Sequence, residues 1–400
     1  MPSPQLPTST RCIVCTSPNI VPIFEISAVP ADTIRLWSTR AAACDAPKAR
    51  MSLAFCEDCG HVFNSCYDDD LVNYEGDYEN SQMLSPKFRR YVEELSDRLI
   101  TTYHLYQKNI VEIGGGRGEF LRIICDRGGN NGVCFDPSYR PSGAEDDVSV
   151  NVRFVADYYT AKYAAEPADL IVCRHVLEHF GEPRELIDTI RQAVGHQRNL
   201  IIYFEVPNGG FILREQIFWE FIYQHCSYFT QSSLCNLFTM CGFQVRGIHE
   251  SLGGQFLAIE ASVLSDDVVS HGYSSYESKA TTAALGPHLG AAFSARVASW
   301  RDRLKQLKDK RQNVVAWGAG AKATTFLNIV DPLGSVISHV VDINPRKWGR
   351  FVPGSGQQII EPNSLRELRP DVIILMNEMY RDEISSDVVW LGLSAKFLVA

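Results

Sequence analysis

The sequence has no apolar run long enough to cross a bilayer, no excess of basic residues, and no cysteine density typical of small disulfide-stapled folds. The first absence predicts no membrane partner. The opening "MPSPQLPTSTRC" also lacks the apolar core of a signal peptide, so the expected location is cytoplasmic. Lys and Arg total 38 against 47 Asp and Glu, a net charge of −9. A protein that tracks nucleic-acid phosphates normally shows a basic face, so no nucleic-acid partner is expected. Hydrophobic residues are 45% and charged residues 21% of the chain, a globular balance. At 400 residues the chain exceeds what one core usually organises, and two or three domains are predicted.

The chain has twelve cysteines. In a reducing compartment, paired cysteines point to a metal rather than to a disulfide framework. Cys44, Cys66, Cys125, Cys134, Cys173, Cys226, Cys235 and Cys241 are scattered and read as small buried hydrophobes. Cys12 and Cys15 in "RCIVC" and Cys56 and Cys59 in "FCEDCGHVFN" are two Cys-x-x-Cys pairs, the second followed by glycine. Tight turns let the thiolates of both pairs face one cation. Four sulfurs complete a tetrahedral zinc site with no open position, so the zinc would be structural. His61 is not needed as a ligand.

After this segment, Phe88, Tyr91, Leu95 and Leu99 recur at helical spacing. "NIVEIGGGRGEFLRII" then reads as strand, glycine turn and a helix starting at about Glu119, and "GVCFDPS" as a second strand ending in Asp136. Further strands end near Asp157, at His175 and in "EVPN". This is the logic of a doubly wound nucleotide site, in which glycines let the backbone approach the ligand and the acid accepts ribose hydroxyls. Glu112 precedes the glycine turn. A pyrophosphate would be repelled there and a methionine ammonium accepted, which favours S-adenosylmethionine over a dinucleotide. In "RHVLEH", His175 reads as cofactor wall, His179 as structural and Glu178 as its structural partner.

The polar stretch "SDDVVSHGYSSYESKATT" reads as a linker. Beyond it, Val297, Trp300, Leu304 and Leu307 mark an amphipathic helix. "NVVAWGAGAKATTFLNIV" repeats the strand, glycine turn and helix, and "ISHVVDINPRKWGRFVPG" gives another strand ending in Asp342. The predicted architecture is α/β: a zinc-binding domain over 1–80, a Rossmann-like methyltransferase core over 81–265, and a second Rossmann-like unit over 266–400. The "GAGAKA" turn is suited to a phosphate, with Lys322, Asn344, Arg346 and Lys347 as a polar rim.

The order of four-cysteine segment, "VEIGGGRGEFL" core, "EVPN" turn and "GAGAKA…VVDINPRKWGRFVPG" tail resembles the sugar C-methyltransferases over essentially the whole chain. These bacterial enzymes methylate a nucleotide-linked keto-deoxysugar at carbon, often in natural-product biosynthesis. The resemblance implies a class I, S-adenosylmethionine-dependent core and a C-terminal unit that helps hold the sugar nucleotide. It implies Gly114, Gly116, Asp136 and Asp157 as cofactor contacts and His225 in "IYQHCSYF" as the base. Tyr228 and Phe229 match the aromatic end of that stretch, and Tyr78 matches a tyrosine near the reacting methyl. Gln224 stands where the family usually has glutamate, and Tyr223 where it often has histidine or tyrosine.

A carbon beside a ketone becomes nucleophilic only as an enolate, and a neutral imidazole is suited to removing its proton. The enolate oxygen needs a donor, for which Tyr78, Tyr223 and Gln224 are candidates. Trp219, Phe221 and Tyr228 would exclude water. The expected partner is a small molecule, a nucleotide-linked sugar above all. Two alternatives stay open at this point: an O- or N-methyltransferase on the same scaffold, or a non-catalytic binder of S-adenosylmethionine or a nucleotide.

Overall fold

The computed structural model describes residues 9–72, 81–140, 151–195, 197, 199–263 and 278–400. Tyr78 and most of the predicted linker lie outside them. The described residues form three sheets.

The first sheet begins with β1 (Ile20–Pro30), β2 (Lys48–Cys56) and β3 (Val62–Asn64), all antiparallel neighbours. β2 is apolar along most of its length and lies buried. Before β1 and after β2 sit the two cysteine turns, which share one geometry. The Thr16 amide donates to the Cys12 carbonyl and the Gly60 amide to the Cys56 carbonyl, each at 2.9 Å. Both closing residues have positive φ, 60° at Thr16 and 78° at Gly60.

The helix Pro86–Tyr103 follows, its first turn capped by Ser85, with Phe88, Val92, Leu95 and Leu99 buried. The second sheet contains β4 (Asn109–Ile113), β5 (Asn131–Phe135), β6 (Val152–Val155), β7 (Leu170–Arg174) and β8 (Ile201–Pro207), all parallel. β4, β7 and β8 are almost wholly buried, as strands covered on both faces require. The chain then leaves this sheet. β9 (Ser227–Tyr228) pairs with β3, so the first sheet is completed by residues from the middle of the chain. β10 (Phe243–Ser251) and β11 (Phe256–Val263) return to the second sheet, giving the order β10-β11-β8-β7-β4-β5-β6 with β11 antiparallel to both neighbours.

The helix Lys279–Asp309 buries Val297, Trp300, Leu304 and Leu307, the stripe expected from sequence, and continues well upstream of it through Pro287. The third sheet comprises β12 (Val314–Trp317), β13 (Ile337–Val341), β14 (Gln358–Ile360), β15 (Val372–Leu375) and β16 (Lys396–Val399) in the parallel order β14-β13-β12-β15-β16. One apolar core joins the first and third sheets through the aromatic stretch 218–228. Phe24 meets Phe221 at 5.0 Å, and Trp219 and Trp300 each meet the ring of Phe326 edge-on at 5.0 Å. Such ring pairs add about 0.5–1.5 kcal/mol each beyond their buried area.

Candidate active site

The glycine turn lies at the carboxyl end of β4, where open α/β sheets bind ligands. Gly114 has φ of 69°, and a Cβ there would meet Val176 Cγ2 at 2.4 Å, so only glycine fits. Gly116 also has positive φ, 56°, but a Cβ there would meet nothing within 4 Å. A side chain there would meet no clash, so its positive φ alone accounts for the glycine. The Gly116 amide donates to Asp136 Oδ2 at 2.7 Å, while the Ser138 amide and hydroxyl donate to Oδ1 at 2.8 and 2.6 Å. The carboxylate at the end of β5 is thereby fixed beside the turn. Glu112 is buried and its Oε2 has no partner. Burial pushes its carboxyl up to about 7, with the Arg174 guanidinium pulling the other way. A buried acid with an orphaned oxygen beside a glycine cradle suits an ammonium, the group that S-adenosylmethionine presents. Asp157 is engaged with its own loop, accepting from Tyr163 at 2.7 Å, from the Tyr158 amide at 2.8 Å and from Lys162.

His175 adopts the left-handed conformation, φ 56°, at the end of β7. Its amide donates to the Glu205 carbonyl at 2.8 Å, its Nε2 lies 3.1 Å from Glu205 Oε1, and its ring packs on Phe256 at 4.3 Å. Glu205, the acid of "EVPN", is a hub that sequence reasoning missed. Fully buried, it accepts from Arg174 Nε and Nη2 at 3.0 and 2.8 Å, from Tyr203 at 3.0 Å, from Ser251 at 3.3 Å and from Tyr91. Burial alone would raise its pKa. Arg174, His175 and Tyr91 outweigh that and hold it well below the carboxylate range.

His225 follows the aromatic stretch 218–223. Its Nδ1 is buried without a hydrogen-bond partner. Burial, then the neighbouring His179 and His175, keep the imidazole neutral well below its ordinary value. The His179 and His225 rings meet edge-on at 5.0 Å. His179 Nδ1 lies 2.9 Å from the Gln224 carbonyl, which can only accept, so this nitrogen carries the proton. A carboxylate oxygen of Glu178 completes the group: one ligand atom from each of Glu178, His179 and His225 lies within 4.8 Å of the other two.

The other predicted residues are held by the protein itself. The Tyr223 hydroxyl donates to the Cys66 carbonyl at 3.2 Å and accepts from the Asp68 amide at 3.0 Å. Tyr228 closes its own loop, its hydroxyl bonded to both the amide and the carbonyl of Ile222 at 2.9 Å. Gln224 Oε1 accepts from the Thr33 amide at 3.0 Å and hydroxyl at 2.6 Å. In the C-terminal unit, Lys322 pairs with Glu220 at 3.4 Å, and Asn344 Oδ1 accepts from the Arg346 amide at 3.1 Å. Lys347 is buried, donating to the Ala319 carbonyl at 3.0 Å and lying 3.3 Å from Asp342 Oδ2. The Ala319 amide donates to that same oxygen at 2.8 Å, echoing the pairing of Gly116 with Asp136.

Cys12 and Cys59 Sγ lie 3.5 Å apart, as do those of Cys15 and Cys56. The four sulfurs fit within 4.8 Å of one another, a cluster able to hold one metal ion. His61 is turned away from them, its Nε2 bonded to Ser227 at 3.1 Å.

Residues 83–247 match the family described as a methyltransferase domain, and residues 275–398 the C-methyltransferase C-terminal domain. The chain is similar to the C-methyltransferase NovU of Streptomyces niveus, 23% identical over 304 residues, covering 72% of this chain and 71% of the relative. Among solved structures it resembles a magnesium protoporphyrin IX methyltransferase of Synechocystis PCC 6803 (14% identity, TM-score 0.35, 47% of this chain and 90% of that one). It also resembles an O-methyltransferase family protein of Burkholderia thailandensis (16% identity, TM-score 0.34, 45% and 59%). The protein is a class I methyltransferase that uses S-adenosylmethionine. Its C-terminal third narrows the class: with the match over 275–398 and the likeness to a C-methyltransferase, the enzyme is an S-adenosylmethionine-dependent C-methyltransferase. No helix among the described residues is long and apolar enough to cross a membrane.

Proposed function

We propose that this C-methyltransferase acts on the carbon beside a ketone in a nucleotide-linked deoxysugar or related small molecule, through an enolate, with His225 as base. The observation that carries the reading is the buried, unpartnered Nδ1 of His225 on an imidazole kept neutral by its surroundings. The depressed pKa keeps the imidazole in the neutral form that can take a proton, while the same burial makes the resulting cation costly, so such a base needs a counter-charge. S-adenosylmethionine, when bound, supplies an electrophilic methyl on a sulfonium. Glu112 and Asp136 would hold its ammonium and ribose, and the glycine turn would admit its backbone-hugging portion. His225 takes the proton from the substrate carbon, and the C–H electron pair remains as the enolate. Tyr78, from the sequence resemblance, is assigned to the enolate oxygen. Tyr223 and Tyr228, whose hydroxyls are spoken for, wall the site against water.

In this reading the cysteine cluster holds a structural zinc, and the nucleotide lies against the C-terminal unit with Lys322 toward a phosphate. Asn344 and Lys347 would then brace the turn rather than touch the ligand. The test is transfer from carbon-13-methyl S-adenosylmethionine to a panel of nucleotide-linked 4-keto-6-deoxysugars, read by mass and NMR. A methyl on carbon is expected, while a methyl on oxygen or nitrogen overturns the reading. His225→Asn should keep cofactor affinity and lose transfer by about a hundredfold or more.

A further inference from the structure

The reading above leaves one difficulty, and the inference here rests on that reading. When His225 takes a proton it becomes a buried cation. A buried charge needs a partner, and its immediate neighbour Gln224 is an uncharged amide already committed to Thr33. His179 cannot serve, because a second imidazole is neutral or positive.

Glu178 is the acid that faces this group. It is 1% exposed, its Oε2 has no hydrogen-bond partner, and a carboxylate oxygen lies within 4.8 Å of ring nitrogens of both His225 and His179. Three features of the fold put it there. The strand β7 ends at Arg174, the short helical turn Leu177–His179 follows at once, and the 218–229 segment crosses over that turn to reach β9. The crossing is pinned by His179 Nδ1 on the Gln224 carbonyl at 2.9 Å and by the Cys226 thiol, 3.2 Å from the His179 carbonyl. The other acid nearby, Glu205, is saturated by Arg174, Tyr91, Tyr203 and Ser251 and has no capacity left for a new cation.

We infer that Glu178 is the counter-charge for the His225 imidazolium, a positioning residue that acts through the base. In the productive state Glu178 is a carboxylate and His225 is neutral. The substrate proton moves to His225, its electron pair stays on carbon, and the new imidazolium faces the Glu178 carboxylate until the proton leaves to solvent. Burial, with the Glu205 charge adding, pushes the resting Glu178 carboxyl up to about 8. The groups around it are His179 on its own turn, Cys173 from β7, Glu205 from β8, and His225 and Cys226 from the crossing segment. Both thiols are pushed up by burial and stay neutral. Glu178 is then the group in this cluster that changes charge in the mildly alkaline range, and its ionised form is the active one.

The test is deuterium exchange at the substrate carbon in the full-length protein, with a 4-keto-6-deoxysugar nucleotide and no methyl donor, followed against pH. In the wild type the exchange rate should rise as pH passes about 8. Glu178→Gln should lose that step and slow exchange by about tenfold to a hundredfold, with S-adenosylmethionine affinity unchanged as the check on folding. Glu178→Asp should restore the pH step at a lower rate. Wild-type exchange with an unaltered profile in Glu178→Gln overturns the counter-charge and leaves the base intact. A wild type that exchanges no keto-sugar overturns the base and the counter-charge with it. A second metal ion per chain, absent from Glu178→Gln, also overturns it, since His225 would then be a ligand.

Discussion

Gln224 Nε2 lies 3.4 Å from Asp32 Oδ1, 192 residues away in sequence, while Gln224 Oε1 is held by Thr33. Asp32 is 6% exposed, and its Oδ2 has no partner. Burial pushes its carboxyl up to about 6, partly offset by Arg35. An amide is the group that fits there, because one end must accept from Thr33 and the other must face an acid.

Gln224→Glu should therefore be no simple restoration of the residue usual in sugar C-methyltransferases. It would set two carboxylates side by side. Both would have folded pKa values above their unfolded ones, so the variant is tolerated at low pH and loses stability as pH rises above the unfolded carboxylate range. Near neutral pH the expected cost is about 1–3 kcal/mol, from about 1.4 kcal/mol per unit of further shift. Denaturant melts at several pH values would show it, and Asp32→Asn in the same chain should cancel most of the loss. A pH-independent difference would mean that the two side chains do not share a charge environment.

Glu112 ties cofactor affinity to pH. Its carboxylate form is the one that accepts an ammonium, and in the free protein burial holds its pKa at about 7. Affinity for S-adenosylmethionine should rise with pH up to about that value and fall by about tenfold per unit well below it. Calorimetry in buffers of different ionisation heat should detect a proton released on binding. Affinity flat across this range would assign the ammonium to another group.

Glu205→Gln should be among the most destabilising single changes. It leaves Arg174, 8% exposed at its side chain, as an unpaired buried cation. The expected loss is about 3–5 kcal/mol in denaturant unfolding. The native pKa of Glu205 is depressed, so its contribution is full above the unfolded carboxylate value, declines as pH falls below that value and is lost as pH drops through the much lower folded one. The difference between wild type and variant should shrink in acid.

These predictions divide by how far the relevant partners are separated in the chain. The cysteine pairs, the glycine turn before Glu119, the acids at strand ends and the stripe Val297, Trp300, Leu304 and Leu307 were legible, because each is a local pattern whose period or spacing reflects its geometry. The five parallel strands of the second sheet were legible from the same signals, but their order and the antiparallel β10 and β11 were not. What the sequence left hidden were meetings made by tertiary crossing. Glu178 read as a structural partner of His179 because nothing local shows that residue 225 passes over the same turn. Glu205 sat in plain view in "EVPN", but its donors come from residues 91, 174, 203 and 251. The pairing of Gln224 with Asp32 was equally invisible.

The cysteine cluster predicts about one zinc per chain by elemental analysis. Cys56→Ser should lower that content and loosen the two matched turns at Thr16 and Gly60. Limited proteolysis would report this as new cleavage before β1 or after β2, and an intact metal-free wild type would remove zinc from the account.

The two-residue strand β9 also sets a timetable. Its partner β3 ends at Asn64, yet Ser227 and Tyr228 supply the last edge of that sheet. During synthesis domains tend to fold as they emerge, N-terminal first. Here the last edge strand of the first sheet is not available until more than 160 further residues, strands β4 to β8 among them, have been made. The sheet that carries the cysteine turns is thus completed by the same crossing segment that delivers His225.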